Sequence, residues 1–146
     1  MNNATDTDDP TRVAFVCVRN AGRSQMAAAF AERECERRGL GDRVEVRSGG
    51  TDPAESVHDG VLIAMNEAGF DLSDRTPRAI TDDELRSCDY VATMGCSKLS
   101  LDGVESRDWA LDDPGGEETE RVREIRDEVR ERVVALFDEI EGGADR

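Results

Sequence analysis

The sequence predicts an α/β domain of three layers, with a four-stranded parallel sheet between helices. Two observations predict it. Short apolar runs of strand length alternate along the chain with longer segments of helical period. Strands separated by helices pair in parallel and are covered on both faces. A third observation places the chemistry. Cys17 follows the first apolar run, and parallel sheets bind ligands beyond the carboxyl ends of their strands, where the strand order switches.

The elements follow in order. Residues 1–10 are polar and acidic and are expected to form a disordered tail, leaving one domain over 11–141. Val13 to Val18 is a short apolar run bounded by turn-prone residues, the pattern of a buried strand. Ser24 to Arg38 reads as a helix ended by Gly39. Val44 to Ser48 is a second strand. Ser56 to Ala68 is a helix with Val57, Val61, Ala64, Met65 and Ala68 on one face, closed by Gly69. Thr81-Asp82-Asp83-Glu84 has the form of a capping box opening a short helix. Tyr90 to Thr93 forms a third strand, and a short, weakly marked fourth falls near Ser106 to Trp109. The last helix carries Val122, Ile125, Val129, Val133, Leu136 and Ile140 at steps of 3, 4, 4, 3 and 4, and should end at Gly142-Gly143.

Composition excludes several functions. A net charge of −15 is the wrong sign for a nucleic-acid surface. Lys98 is the only lysine among 19 basic residues, against 34 acidic ones. Such a surface suits a salt-rich cytoplasm, where repulsion is screened within about 3 Å at 1 M salt, and points to a halophilic, archaeal source. The four cysteines (Cys17, Cys35, Cys88, Cys96) contain no Cys-x2-Cys pair, and His58 is the only histidine, so a zinc site is not expected. No signal peptide or membrane-length apolar run is present. The chain reads as cytoplasmic, with reduced thiols.

The chemistry concentrates in Cys17-Val18-Arg19-Asn20-Ala21-Gly22-Arg23-Ser24. A cysteine at a strand end, a loop, and a helix start together make an anion site, because backbone N–H groups and the helix N-terminus point into the loop. That field would favour the Cys17 thiolate over the thiol, whose free pKa is about 8.5. Arg23 can grip two oxygens of a tetrahedral oxyanion through its planar fork. A cation in a first helical turn opposes the helix dipole, a placement that makes sense if an anion binds. Ser24 can donate its hydroxyl to the sulfur, act as a plain N-cap, or both. Gly22 suits a loop wrapping closely round an anion. A thiolate beneath a cradled oxyanion is equipped to attack phosphorus or arsenic.

Cys-x5-Arg-Ser near the start, Ser48-Gly49-Gly50-Thr51-Asp52-Pro53 in the middle and Asp113-Pro114 late resemble the low-molecular-weight protein tyrosine phosphatase family, which includes a class of arsenate reductases. The resemblance spans Arg12 to Ile140. Asn20 to Ala27, Thr93 to Cys96 and Asp108 to Gly116 look most like the arsenate-reductase branch, in particular its small-thiol-coupled type. It implies a low-molecular-weight phosphatase-like fold. It also implies Cys17 as nucleophile, Arg23 as oxyanion clamp, Asp113 as general acid, and Val18, Arg19, Asn20, Ala21, Gly22 and Ser24 as the substrate-binding loop. Asn20 matches the family's loop asparagine, which helps hold an unusual backbone. Sequence physics alone does not separate Asp113 from Asp112; the family match selects Asp113.

The implied activity is arsenate reduction, with phosphomonoester hydrolysis as the alternative and a silent oxyanion-binding module as a reading from another class. Family phosphatases acting on phosphotyrosine usually carry aromatic residues after the Asp-Pro; this chain has Gly115-Gly116. Arsenate reduction needs a second thiol. Cys96 is the in-chain candidate, and reads equally well as a structural or exposed thiol. The thioredoxin-linked subclass uses a further cysteine several residues on, whereas Ser97 to Val104 has none. The expected co-substrate is therefore a low-molecular-weight thiol, or a glutaredoxin- or thioredoxin-like protein, with no bound cofactor or metal. Neither nucleic acid nor membrane is expected as a partner, and the chain should be a monomer or weak dimer. Cys35 and Cys88 read as packing residues, and His58 as a surface residue.

Overall fold

The computed structural model describes residues 10–94, 106–109, 111, 114 and 117–144. The expected tail falls, but for Pro10, outside the described residues. The elements run β1 (Thr11–Cys17), α1 (Arg23–Arg37), β2 (Val44–Gly50), α2 (Asp59–Glu67), α3 (Asp82–Arg86), β3 (Tyr90–Met94), β4 (Ser106–Asp108) and α4 (Thr119–Ala144). The four strands form one parallel sheet in the order β2-β1-β3-β4. The order reverses beside β1, so the crevice beyond Cys17 is the switch point where such sheets take ligands.

The pleat divides the core. Val13, Phe15 and Cys17 face one side and join α1, α2 and α4 in the main apolar cluster. Ala14 and Val16 face the other side and join Leu85, Cys88 and Val91 in a smaller cluster under α3. Every β1 residue from Val13 to Cys17 is buried, as expected of a strand covered on both faces. The six apolar residues predicted for the last helix are all buried. Arg38 ties α1 to α4 through Asp138 and Glu141, at 2.9 and 2.7 Å.

Several boundaries differ from expectation by one to three residues, three of them as follows. The helix predicted from Ser56 begins at Asp59, because residues 51–58 are drawn out along the loop after β1. Its N-cap is His58, extended at φ −60°, ψ 139°. β2 continues past Ser48 to Gly50 because Gly49 and Gly50 pair with Val16 and Cys17. α4 runs through Gly142 and Gly143 to Ala144. The capping box at Thr81 is present as predicted: Glu84 N–H donates to Thr81 Oγ1 at 3.1 Å, and Thr81 N–H to Glu84 Oε1 at 3.2 Å. Gly39 and Gly69 adopt φ of +68° and +92°, the left-handed closure read from the sequence.

Candidate active site

The loop from Cys17 to Gly22 is held from outside. Its carbonyls accept backbone N–H groups from the segment that follows β2. Thr51 donates to Cys17 O at 3.2 Å, Asp52 to Val18 O at 2.8 Å, Ala54 to Arg19 O at 2.9 Å and His58 to Ala21 O at 3.0 Å. Gln25 Nε2 holds Asn20 O at 3.1 Å, and the α1 backbone takes Gly22 O through Met26 N–H at 3.0 Å. No peptide bond among the described residues is cis, so each N–H of the loop points away from the carbonyl of its own peptide unit. Carbonyls drawn out to the 51–58 segment therefore turn the N–H groups of Val18, Arg19, Asn20 and Gly22 inward. Asn20 shows where inward is: its N–H lies 3.2 Å from Cys17 Sγ.

The loop fits because of glycine. A Cβ at Gly50 would stand 2.6 Å from Val18 O and 3.0 Å from Asn20 N. A Cβ at Gly49 would stand 2.4 Å from Cβ of Ile80. At Gly22 a Cβ would meet Pro114 Cγ at 2.8 Å and His58 Cδ2 at 3.5 Å.

Cys17 ends β1 and is 2% exposed. Its sulfur is not walled in by hydrocarbon: Ser24 Oγ lies 2.9 Å away. Asn20 Nδ2 donates to that hydroxyl at 2.7 Å, which leaves the Ser24 hydrogen for the sulfur. Ser24 does not cap α1. The N-cap is Gly22, with no side-chain bond, and Ser24 lies inside the first turn. Asn20 adopts φ +52°, the only non-glycine residue with positive φ among the described residues. Arg23 is 9% exposed, its guanidinium turned inward, with Nη1 donating to Leu111 O at 2.8 Å. Ala21, Gly22 and Ser24 are buried, Val18 is half-buried, and Arg19 is exposed and paired with Asp52 at 2.8 Å.

Asp113 and Cys96, with Asp112, lie outside the described residues. Their neighbours are placed. Leu111, two residues before Asp113, holds Arg23, and Pro114, one residue after it, packs on Gly22. Met94, two residues before Cys96, pairs with Cys17 across β1 and β3. Cys35 and Cys88 are buried, and burial raises both thiols above their ordinary pKa. Among the described residues no group of three or more His, Cys, Asp or Glu could hold a metal, and no helix is long and apolar enough to cross a membrane.

Sequence reasoning missed four participants. His58 is half-buried and its ring packs toward Gly22, so it is not simply a surface residue. Gln25 and the backbone N–H of Arg78 both donate to Asn20 Oδ1, at 3.1 and 3.0 Å. The Leu111 carbonyl receives Arg23. Backbone groups carry no sequence signal, and Gln25 sits where a helix pattern explains it.

A cysteine at a strand end, an inward-turned amide loop and a buried arginine at a helix start make a site with the geometry to hold a tetrahedral oxyanion over a thiol. The family description "Low molecular weight phosphotyrosine protein phosphatase" matches residues 12–144, and the chain belongs to that family. It is 64% identical over 134 residues to a Halobacterium salinarum protein named "Putative arsenate reductase", covering 90% of this chain and 94% of the relative. It superposes on a thioredoxin-dependent arsenate reductase from Corynebacterium glutamicum with a TM-score of 0.78 at 36% identity, over 97% of this chain and 67% of that one. An arsenate reductase in the phosphate-binding state gives a TM-score of 0.76 at 32% identity, over 89% and 98% of the two chains.

Proposed function

We propose that the protein is an arsenate reductase acting through a Cys17 thiol-arsenate adduct. One observation carries the choice of a small oxyanion over an aryl phosphate. The chain has six aromatic residues, and each is engaged by the protein itself. Phe15 and Phe137 are fully buried. Trp109 packs on Phe15 at 5.8 Å and Phe30 meets Phe70 at 5.1 Å. Tyr90 lies at the opposite end of β3 from the loop, under Arg107. None is left to wall a pocket for a tyrosyl ring.

The chemistry runs as follows. The Cys17 thiolate attacks arsenic(V), and one arsenate oxygen leaves as water on a proton from Asp113. Inward N–H groups and Arg23 hold the remaining oxygens as charge builds on them. A second thiolate attacks the Cys17 sulfur, the S–As bond breaks, and its electron pair reduces arsenic to arsenite, leaving a disulfide. Two thiols supply both electrons, so no bound cofactor is needed. Cys96 is one source of the second thiol. A small thiol, or a glutaredoxin- or thioredoxin-like protein, is the other and restores the enzyme. The charge balance and the Halobacterium relative support a cytoplasm of high salt as its setting.

Hydrolysis of phosphomonoesters is the second reading, favoured by the family to which the chain belongs and by the residues both reactions share. In molar salt, arsenate-dependent consumption of a small thiol is measured beside hydrolysis of an aryl phosphate. Thiol consumption well above aryl phosphate turnover is expected; the reverse ratio overturns the assignment.

A further inference from the structure

We infer that Gln25 is a positioning residue for the attacking sulfur, acting through Asn20; the inference rests on the reading of Cys17 as nucleophile. Gln25 lies in the first turn of α1 and is 2% exposed. Its Nε2 donates to both the backbone carbonyl and Oδ1 of Asn20, each at 3.1 Å. The single amide thus clamps the main chain of Asn20 to its own side chain, at the loop residue with φ +52°.

The clamp sets a direction. Arg78 N–H can only donate, and it reaches Asn20 Oδ1 at 3.0 Å. Oδ1 is therefore the acceptor, and Asn20 Nδ2 must face Ser24 Oγ, 2.7 Å away. With its oxygen taken, Ser24 turns its hydrogen to Cys17 Sγ at 2.9 Å. The Asn20 N–H adds a second donor at 3.2 Å. From Gln25 to the sulfur, every link donates in one sense. Such an array favours the anionic form of the final acceptor.

Gln25 also carries a cost. Its Oε1 is buried with no partner among the described residues. A buried acceptor left unpaired destabilises a fold, so packing alone is a poor reason for an amide at this position. The donor side of the same group supplies the reason.

The test uses Gln25→Met, which keeps length and loses both donors, and Gln25→Glu, which sets acceptors against acceptors. Iodoacetamide labelling of Cys17 is followed against pH by mass spectrometry of its peptide. The other charged or titratable side chains of the loop and the segment laid along it (Arg19, Arg23, Asp52, Glu55, His58) stay unchanged. Gln25→Met should move the labelling midpoint up by about one pH unit, about tenfold less thiolate at a given pH below it. It should lower kcat about tenfold with KM for arsenate within about twofold, the pattern of an interaction lost at the reacting sulfur. Gln25→Glu should shift the midpoint further and decides the matter if the methionine variant does not fold. An unchanged labelling profile in a folded variant overturns the inference, as does failure of both variants to fold by Trp109 fluorescence. Labelling needs no substrate. Wild-type protein that does not reduce arsenate, alongside a shifted variant, would sink the proposed activity and leave this inference standing.

Discussion

The Arg23 guanidinium donates to the carbonyl of Leu111, 2.8 Å away. The arginine proposed as the clamp is thus tied to the chain two residues before Asp113, the proposed acid. Arg23→Lys keeps the charge and loses the fork that reaches a carbonyl and an oxyanion together. It should reduce kcat/KM for arsenate by about 10²-fold or more, comparable to loss of a transition-state donor. Initial rates of thiol consumption in molar salt measure this; a drop below about threefold would mean that charge alone suffices.

Cys17→Ser should abolish arsenate reduction and aryl phosphate hydrolysis alike. Cys96→Ala should slow the first and spare the second, since only reduction needs another thiol. Equal loss of both activities would make Cys96 structural. Cys35→Ala and Cys88→Ala should leave kcat near wild type, because burial keeps those thiols protonated.

Gly50→Ala tests the close approach of β2 to the loop. The added methyl would press on Val18 O at 2.6 Å, and overpacking of this kind costs about 1–3 kcal/mol. Thermal melts should show that loss together with weaker inhibition by phosphate. Gly142→Ala, where a Cβ meets nothing within 4 Å, should cost nothing and serves as the control.

Glu84 links stability to pH. Arg78 in particular, with the Thr81 N–H and Arg47, holds its carboxyl below the ordinary glutamate value. A depressed pKa in the folded state means that the stabilisation is complete above the unfolded value of about 4.3 and is lost as pH falls through the folded value. Wild type should therefore lead Glu84→Gln in melting temperature at neutral pH, and the gap should shrink as pH falls below the unfolded value and close once it has passed the folded one. A gap independent of pH would assign the difference to packing.

The sheet and the anion loop could be read from the chain because their signals are local. The run before Cys17 is apolar throughout, and a parallel strand covered on both faces needs that. The glycine at position 22 and the arginine at 23 stand where the loop and helix require them. The start of α2 was misplaced by three residues, because an amphipathic pattern cannot show that His58 is extended with its N–H held by the Ala21 carbonyl. The role of Gly49-Gly50 rested on resemblance; its cause is the contact with Ile80 and Asn20. Gln25 stayed hidden because its partner lies five residues back in a left-handed turn, a conformation that neither strand nor helix period encodes.

The pairing of Thr51, Asp52, Ala54 and His58 amides with the carbonyls of Cys17, Val18, Arg19 and Ala21 fixes a length rather than a composition. Side chains between Gly50 and Asp59 other than proline at the four donors can change without removing these bonds, but inserting or deleting one residue would slide the later donors off their acceptors. Engineering for altered oxyanion preference should therefore substitute within this stretch and never resize it.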